Sequence, residues 1–252
     1  MDEVMRTWRP EDGGPIYAET PLSLVQGQWM LEPWNALSSL LIAAPAIYFL
    51  IKLRGRYGSN LLLVLCIPLL ITGGLGSALF HGFRASRSLL MLDVMPTMLL
   101  FLAVSVFFWV KVFRNWWAAA GVMLIAFAFT WLIFSYFPNP LSVNLGYAVR
   151  GMVFFLPLVI LLFRTRFQDG WLILGAVGAF SAALVFRLVD RDVASVLPMG
   201  SHFLWHGFTG FGGFLVAEYL LRMKRDPGRE AASAGARPEN HTAQSSFLRQ
   251  GS

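Results

Sequence analysis

Two histidines four residues apart, His202 and His206, open the last long apolar run of the chain, in His202-Phe-Leu-Trp-His206-Gly-Phe-Thr-Gly. On a helix this spacing puts both imidazoles on one face, about 40° apart around the axis. That suits two ligands of a single metal ion. Taken alone, the pair is better read as histidines that hydrogen-bond a neighbouring helix. Other polar residues change the balance. Ser77, His81 and Asp93 also lie in apolar surroundings, with Ser77 one helical turn before His81 on nearly the same face.

The elements that must position these residues are membrane helices. Of 252 residues, 56% are hydrophobic and 13% charged, against about a quarter charged in a soluble domain. With a mean hydropathy of +0.60, the chain reads as an all-α integral membrane protein. Crossing a hydrocarbon core of about 30 Å takes about 20 helical residues, and seven runs qualify: 31–51, 60–82, 89–110, 116–137, 143–163, 171–189 and 201–222. Unpaired backbone groups in lipid exclude anything but closed helices here, so a seven-transmembrane-helix bundle is expected. Glycines 73, 74 and 76 in the second run and 207, 210, 212 and 213 in the seventh would let helices approach closely.

The net charge of +6 does not mark a nucleic-acid binder. No such motif is present, and the Lys and Arg sit in short interhelical loops, where they act as topology signals. With the N-terminus outside, ten of them fall on the inner side (Lys52, Arg54, Arg56, Lys111, Arg114, Arg164, Arg166, Arg222, Lys224, Arg225). Five fall outside (Arg6, Arg9, Arg84, Arg87, Arg191). N-out and a cytoplasmic C-terminus follow. The single cysteine, Cys66, lies mid-helix and permits no intrachain disulfide.

Three regions are expected: an extramembrane segment 1–28, a transmembrane domain 29–223, and a disordered cytoplasmic tail 224–252 too poor in apolar residues to fold. Met1 to Gln28 has no apolar core of signal-peptide type, so the first hydrophobic span is expected to direct insertion itself. Nothing in the sequence calls for an obligate protein partner.

Helices that alternate direction bring the end of the second run and the starts of the third and seventh to one membrane face. His81, Asp93, His202 and His206 therefore share a depth, toward the outer leaflet. Three neutral imidazoles there make a His₃ set with an open fourth position, the catalytic rather than the closed structural type of zinc site. Zinc so bound brings a water's pKa to about 7 and polarises a carbonyl. Ser77 either bonds back to its own helix or aims its hydroxyl at a developing oxyanion. Asp93 needs a partner, for which Arg84 or Arg87 is available; otherwise it orients a histidine or takes a proton from water. Glu32-Pro-Trp-Asn35 reads as an ordinary helix start, with Asn35 in need of a partner. Arg187 is expected to pair with Asp190 or Asp192 or to snorkel. A lipid-binding receptor or scaffold with structural zinc, and a bis-histidine haem protein, remain as alternatives.

Gly76-Ser77-Ala78-Leu79-Phe80-His81, Leu92-Asp93-Val94-Met95-Pro96 and His202-Phe-Leu-Trp205-His206-Gly-Phe-Thr209-Gly210 together resemble the alkaline ceramidases. These belong to a superfamily of seven-helix membrane hydrolases shared with the adiponectin-type receptors and Per1-like proteins. Glu32-Pro-Trp34-Asn35-Ala-Leu-Ser-Ser-Leu resembles the ceramidase opening of the first helix, and Trp205 and Thr209 favour the ceramidase branch. The resemblance implies a zinc-dependent amidase that cuts ceramide or a related N-acyl membrane lipid to a fatty acid and a sphingoid base or lipid amine. It implies His81, His202 and His206 as zinc ligands, with Ser77 and Asp93 around the activated water. Animal members also carry a calcium site, to which Glu19 and Glu32 would correspond, although two carboxylates are few for an ion that takes six to eight oxygens. The Ala- and Arg-rich tail suggests a bacterial member, placed in the inner membrane with its site toward the periplasmic leaflet.

Overall fold

The computed structural model describes residues 12–21, 29–139 and 141–225. The expectations for residues 1–11 and 22–28, and for the tail from residue 226, lie outside the described residues. The described residues are helical with connecting turns and include no strand. Seven long helices follow one another: α1 (Pro33–Lys52), α2 (Leu61–Phe83), α3 (Arg87–Phe113), α4 (Trp116–Tyr136), α5 (Leu141–Arg164), α6 (Gly170–Leu188) and α7 (His202–Arg225). Short 3₁₀ turns at Gly58–Asn60 and Asp192–Ser195 precede α2 and α7.

Six of these, α1 to α6, are long and apolar enough to cross a membrane, which marks a multi-pass membrane protein. The expected seventh span departs from this. Helix α7 has the length, but His202, His206, Glu218 and four glycines in the same stretch dilute its apolar character. The polar load that lowers its hydropathy includes the residues of greatest chemical interest.

The described residues of Met1–Phe107 and Asp169–Leu220 form one compact unit, and those of Phe108–Gln168 and Leu221–Ser252 a second. In the second, α4 packs on α5, Trp109 Nε1 donates to the Val153 carbonyl at 2.9 Å, and Arg164 donates to the Val112 carbonyl at 2.9 Å. The first unit holds every candidate site residue.

Within that unit, helices meet where a proline and a glycine cooperate. A proline inside a helix lacks the N–H that the carbonyl four residues earlier normally receives. Pro45 in α1 withholds a donor from Leu41, and Pro96 in α3 withholds one from Leu92. Each of those carbonyls faces a glycine of another helix: Gly210 of α7 lies against Leu41 O, and Gly76 of α2 against Leu92 O, too close for any Cβ. A glycine lets another backbone approach the carbonyl that the proline left unused. A third contact, Gly74 against Ala43, where a Cβ would meet the Ala43 nitrogen at 2.9 Å, brings α2 close to α1. Away from the histidines, Lys52 of α1 bonds Glu218 of α7 at 2.6 Å, with Tyr48 Oη 2.8 Å from the same ammonium.

Candidate metal centre

His81 lies in the last turn of α2 and His202 is the first residue of α7, so two helix ends set the site. Three connections fix their approach. Leu31 and Glu32 N–H groups donate to the carbonyls of Gly82 and His81 at 2.8 and 3.2 Å, tying the entry of α1 to the end of α2. Asp190 accepts from the Ser201 and His202 N–H groups at 2.8 and 2.7 Å, an anion at the start of α7 where the helix dipole favours one. Its other oxygen accepts from Ala18 N–H at 2.7 Å, which binds the segment before α1 to the same place.

The three imidazoles meet. One ring nitrogen from each of His81, His202 and His206 lies within 4.8 Å of the others, and all three side chains are buried. The next partners are specific. His81 Nδ1 is 2.5 Å from Glu32 Oε2, which as a carboxylate can only accept, so Nδ1 carries the hydrogen and Nε2 is the atom with a lone pair whenever the ring is neutral. His206 Nδ1 is 2.9 Å from Ser38 Oγ and 3.4 Å from Ser39 Oγ. Both serines can give their single proton to the Asn35 carbonyl, at 3.1 and 2.7 Å, leaving their oxygens to accept from His206. Two rings are thus prepared to offer Nε2, in the arrangement that metal-bound histidines use. His202 Nδ1 is buried without a hydrogen-bond partner. Three buried neutral nitrogen donors, two of them oriented from behind, fit a zinc ion in ligand type and number.

Ser77 and Asp93 stand beside this cluster. Ser77 Oγ is 3.0 Å from Ser39 Oγ, and Asp93 follows Leu92, whose carbonyl meets Gly76, the residue before Ser77. Asp93 is brought toward Ser77 by the contact of α3 with α2. It does not pair with Arg84, and the orienting role open to it belongs to Glu32 and Ser38. Arg84 instead bonds Asp12 and Glu32. Arg187 lies over the ring of Trp205, with its guanidinium carbon 5.9 Å from the ring centre.

The carboxylates expected to take calcium are spent on protein donors. Glu32 receives Arg84 and Thr20 on one oxygen, at 2.5 and 2.6 Å, and His81 and Asn35 on the other, at 2.5 and 3.2 Å. These four donors use the capacity of a carboxylate. Glu19 accepts from the N–H groups of Trp34 and Asn35 at 2.8 and 2.9 Å. The ordinary capping expected of Glu32 is therefore done by Glu19, since Glu32 makes no side-chain cap bond at the start of α1. Burial raises the Glu19 carboxyl above its usual range, with the two backbone donors working against that rise. Among the described residues, the three histidines form the one group with metal-ligand geometry.

No protein-family model matches this chain, and no curated protein matches it. The site stands on its own geometry.

Several of its residues were not read from the sequence as parts of it. Tyr17 stacks on His202 with ring centres 3.9 Å apart and lies 5.1 Å from His81. Ser38 and Ser39 support His206, and Asp12 and Arg84 stand behind Glu32. The serine pair carried a usable signal: adjacent hydroxyls one turn after Asn35 in an otherwise apolar run. Tyr17 and Asp12 carried none, because nothing in a loop sequence states where it folds back.

Proposed function

We propose that the chain is a zinc-dependent intramembrane amidase of alkaline ceramidase type, in a seven-helix bundle with its N-terminus outside. In this reading it hydrolyses ceramide or a related N-acyl lipid to a free fatty acid and a sphingoid base or lipid amine. The observation that carries the proposal is the meeting of His81, His202 and His206, with Ser77 and Asp93 beside the close contact of α2 and α3 at Gly76 and Leu92. A purely structural zinc site would be closed by a fourth protein ligand, and the cluster contributes three.

Zinc held by the three imidazoles supplies a Lewis acid and an acidified water. The remaining work belongs to the chain. Glu32 and Ser38 keep His81 and His206 in the ligating tautomer. Asp93 accepts the proton that water gives up as its oxygen bonds to the amide carbon. Ser77 aims its hydroxyl at the oxyanion that forms on the former carbonyl oxygen. When the carbon–nitrogen bond breaks, Asp93 returns its proton to the departing amine. Incubating the purified protein with N-acyl sphingoid lipids and measuring free fatty acid tests the assignment; a zinc-loaded protein that releases none from any N-acyl lipid excludes it.

A further inference from the structure

His81 is held by a chain of buried charges that extends to the segment before α1. Behind Glu32 sits Arg84, whose guanidinium bonds Glu32 Oε1 at 2.5 Å and both oxygens of Asp12 at 2.6 and 3.1 Å. It also donates to the Pro15 carbonyl at 3.1 Å and approaches Thr20 Oγ1 at 3.4 Å. The Arg84 side chain is 2% exposed, and those of Asp12 and Glu32 are 0% exposed. The ring of Phe80 covers the guanidinium, 4.7 Å from its central carbon. Gly14 admits it, because a Cβ there would meet Arg84 at 3.2 Å and Phe80 at 2.6 Å. Arg84 even takes a left-handed backbone (φ 47°, ψ 28°) to close helix α2, a conformation that a residue with a side chain adopts at a cost.

We propose that Arg84 is a positioning residue of the metal centre, the fixed countercharge that keeps Glu32 on Nδ1 of His81. The inference rests on the metal-binding reading of the three histidines. Two buried carboxylates converge on one cation. A planar guanidinium can bond both at once, whereas an ammonium is a single point charge. Without the cation, Glu32 would be left as an uncompensated buried charge that turns away or recruits water. His81 would then lose the partner that sets its ring. Through Asp12, zinc affinity also becomes tied to the segment before α1.

The test compares the full-length protein with Arg84→Ala and Arg84→Lys in detergent. Zinc affinity is measured by chelator competition, and ligand geometry by the visible absorption of the cobalt-substituted protein. We expect Arg84→Ala to weaken zinc about 10- to 100-fold, the usual loss on removing a ligand's support, and to alter the cobalt spectrum. Arg84→Lys should recover only part of the affinity. Guanidinium ion, at concentrations that leave the wild type folded, should restore zinc binding to Arg84→Ala. An arginine needed only for stability would lower the melting temperature and leave the zinc affinity of the folded protein unchanged; that result overturns the proposal. If Arg84→Ala does not fold, wild-type affinity in Arg84→Lys overturns it equally. A wild-type protein that binds no zinc fails one step earlier, at the metal reading itself.

Discussion

Glu32 accepts a 2.5 Å hydrogen bond from Nδ1 of His81, and both side chains are fully buried. The residue that opens the first membrane helix is therefore the support of a histidine at the end of the second. Glu32→Gln keeps the shape but removes the charge that fixes the tautomer, and zinc affinity should fall about 10- to 100-fold. Ser38→Ala should cost less, because Ser39 Oγ lies 3.4 Å from the same His206 nitrogen and can take over. Chelator competition on the two variants gives the order.

Ser77→Ala and Asp93→Asn are expected to separate catalysis from metal binding. Neither is placed as a ligand, so zinc content should match the wild type. Turnover of an N-acyl lipid should fall about 10²- to 10³-fold for the serine, as for loss of an oxyanion donor, and about 10²- to 10⁴-fold for the aspartate as a proton acceptor. Loss of zinc in step with activity would assign them a structural role instead.

The helix contacts at the prolines make a stability prediction with an internal control. Gly210→Ala and Gly76→Ala drive a methyl group into the Leu41 and Leu92 carbonyls and should each destabilise the protein by about 1–3 kcal/mol or more. Gly213→Ala, in the same helix as Gly210, meets nothing within 4 Å and should be neutral or stabilising, since alanine favours the helix. Thermal melts in detergent would show the contrast.

Glu19 predicts a pH dependence. Its carboxyl is raised above 4.5 in the folded state, first by burial, so the fold holds that proton more tightly than the unfolded chain does. The resulting stability is complete below the unfolded value and is lost as pH rises through the folded one. The melting temperature of the wild type relative to Glu19→Gln should therefore decline with pH across that window. A difference that grows with pH would mean that the two backbone bonds to Trp34 and Asn35 outweigh burial.

What the sequence made legible was what rests on local periodicity and on the alternation of membrane helices. His202 and His206 share a face because they are four apart, and His81 joins them because α2 ends where α7 begins. Ser77 follows from its spacing to His81. The role of Glu32 behind His81 was hidden by a sufficient local explanation, since an acid before a proline at a helix start is ordinary, and by the calcium role that the resemblance implied. Its charged partner Arg84 and the ring of His81 lie far along the chain. Arg84, available with Arg87 as a partner for Asp93, bonds Asp12 and Glu32 instead, and both lie farther from it in sequence than Asp93 does. The close contact of Gly210 with Leu41 depends on Pro45, one turn after Leu41 in α1, while Gly210 lies on the last helix, and no sequence window contains all three.

The central claim is that His81, His202 and His206 hold one zinc ion, and elemental analysis of the purified protein tests it most directly. The account predicts about one zinc per chain in the wild type, and strongly reduced zinc in His81→Ala, His202→Ala and His206→Ala variants that remain folded. Full zinc in any one of those variants, or none in the wild type after purification without chelators and with added zinc, would contradict it.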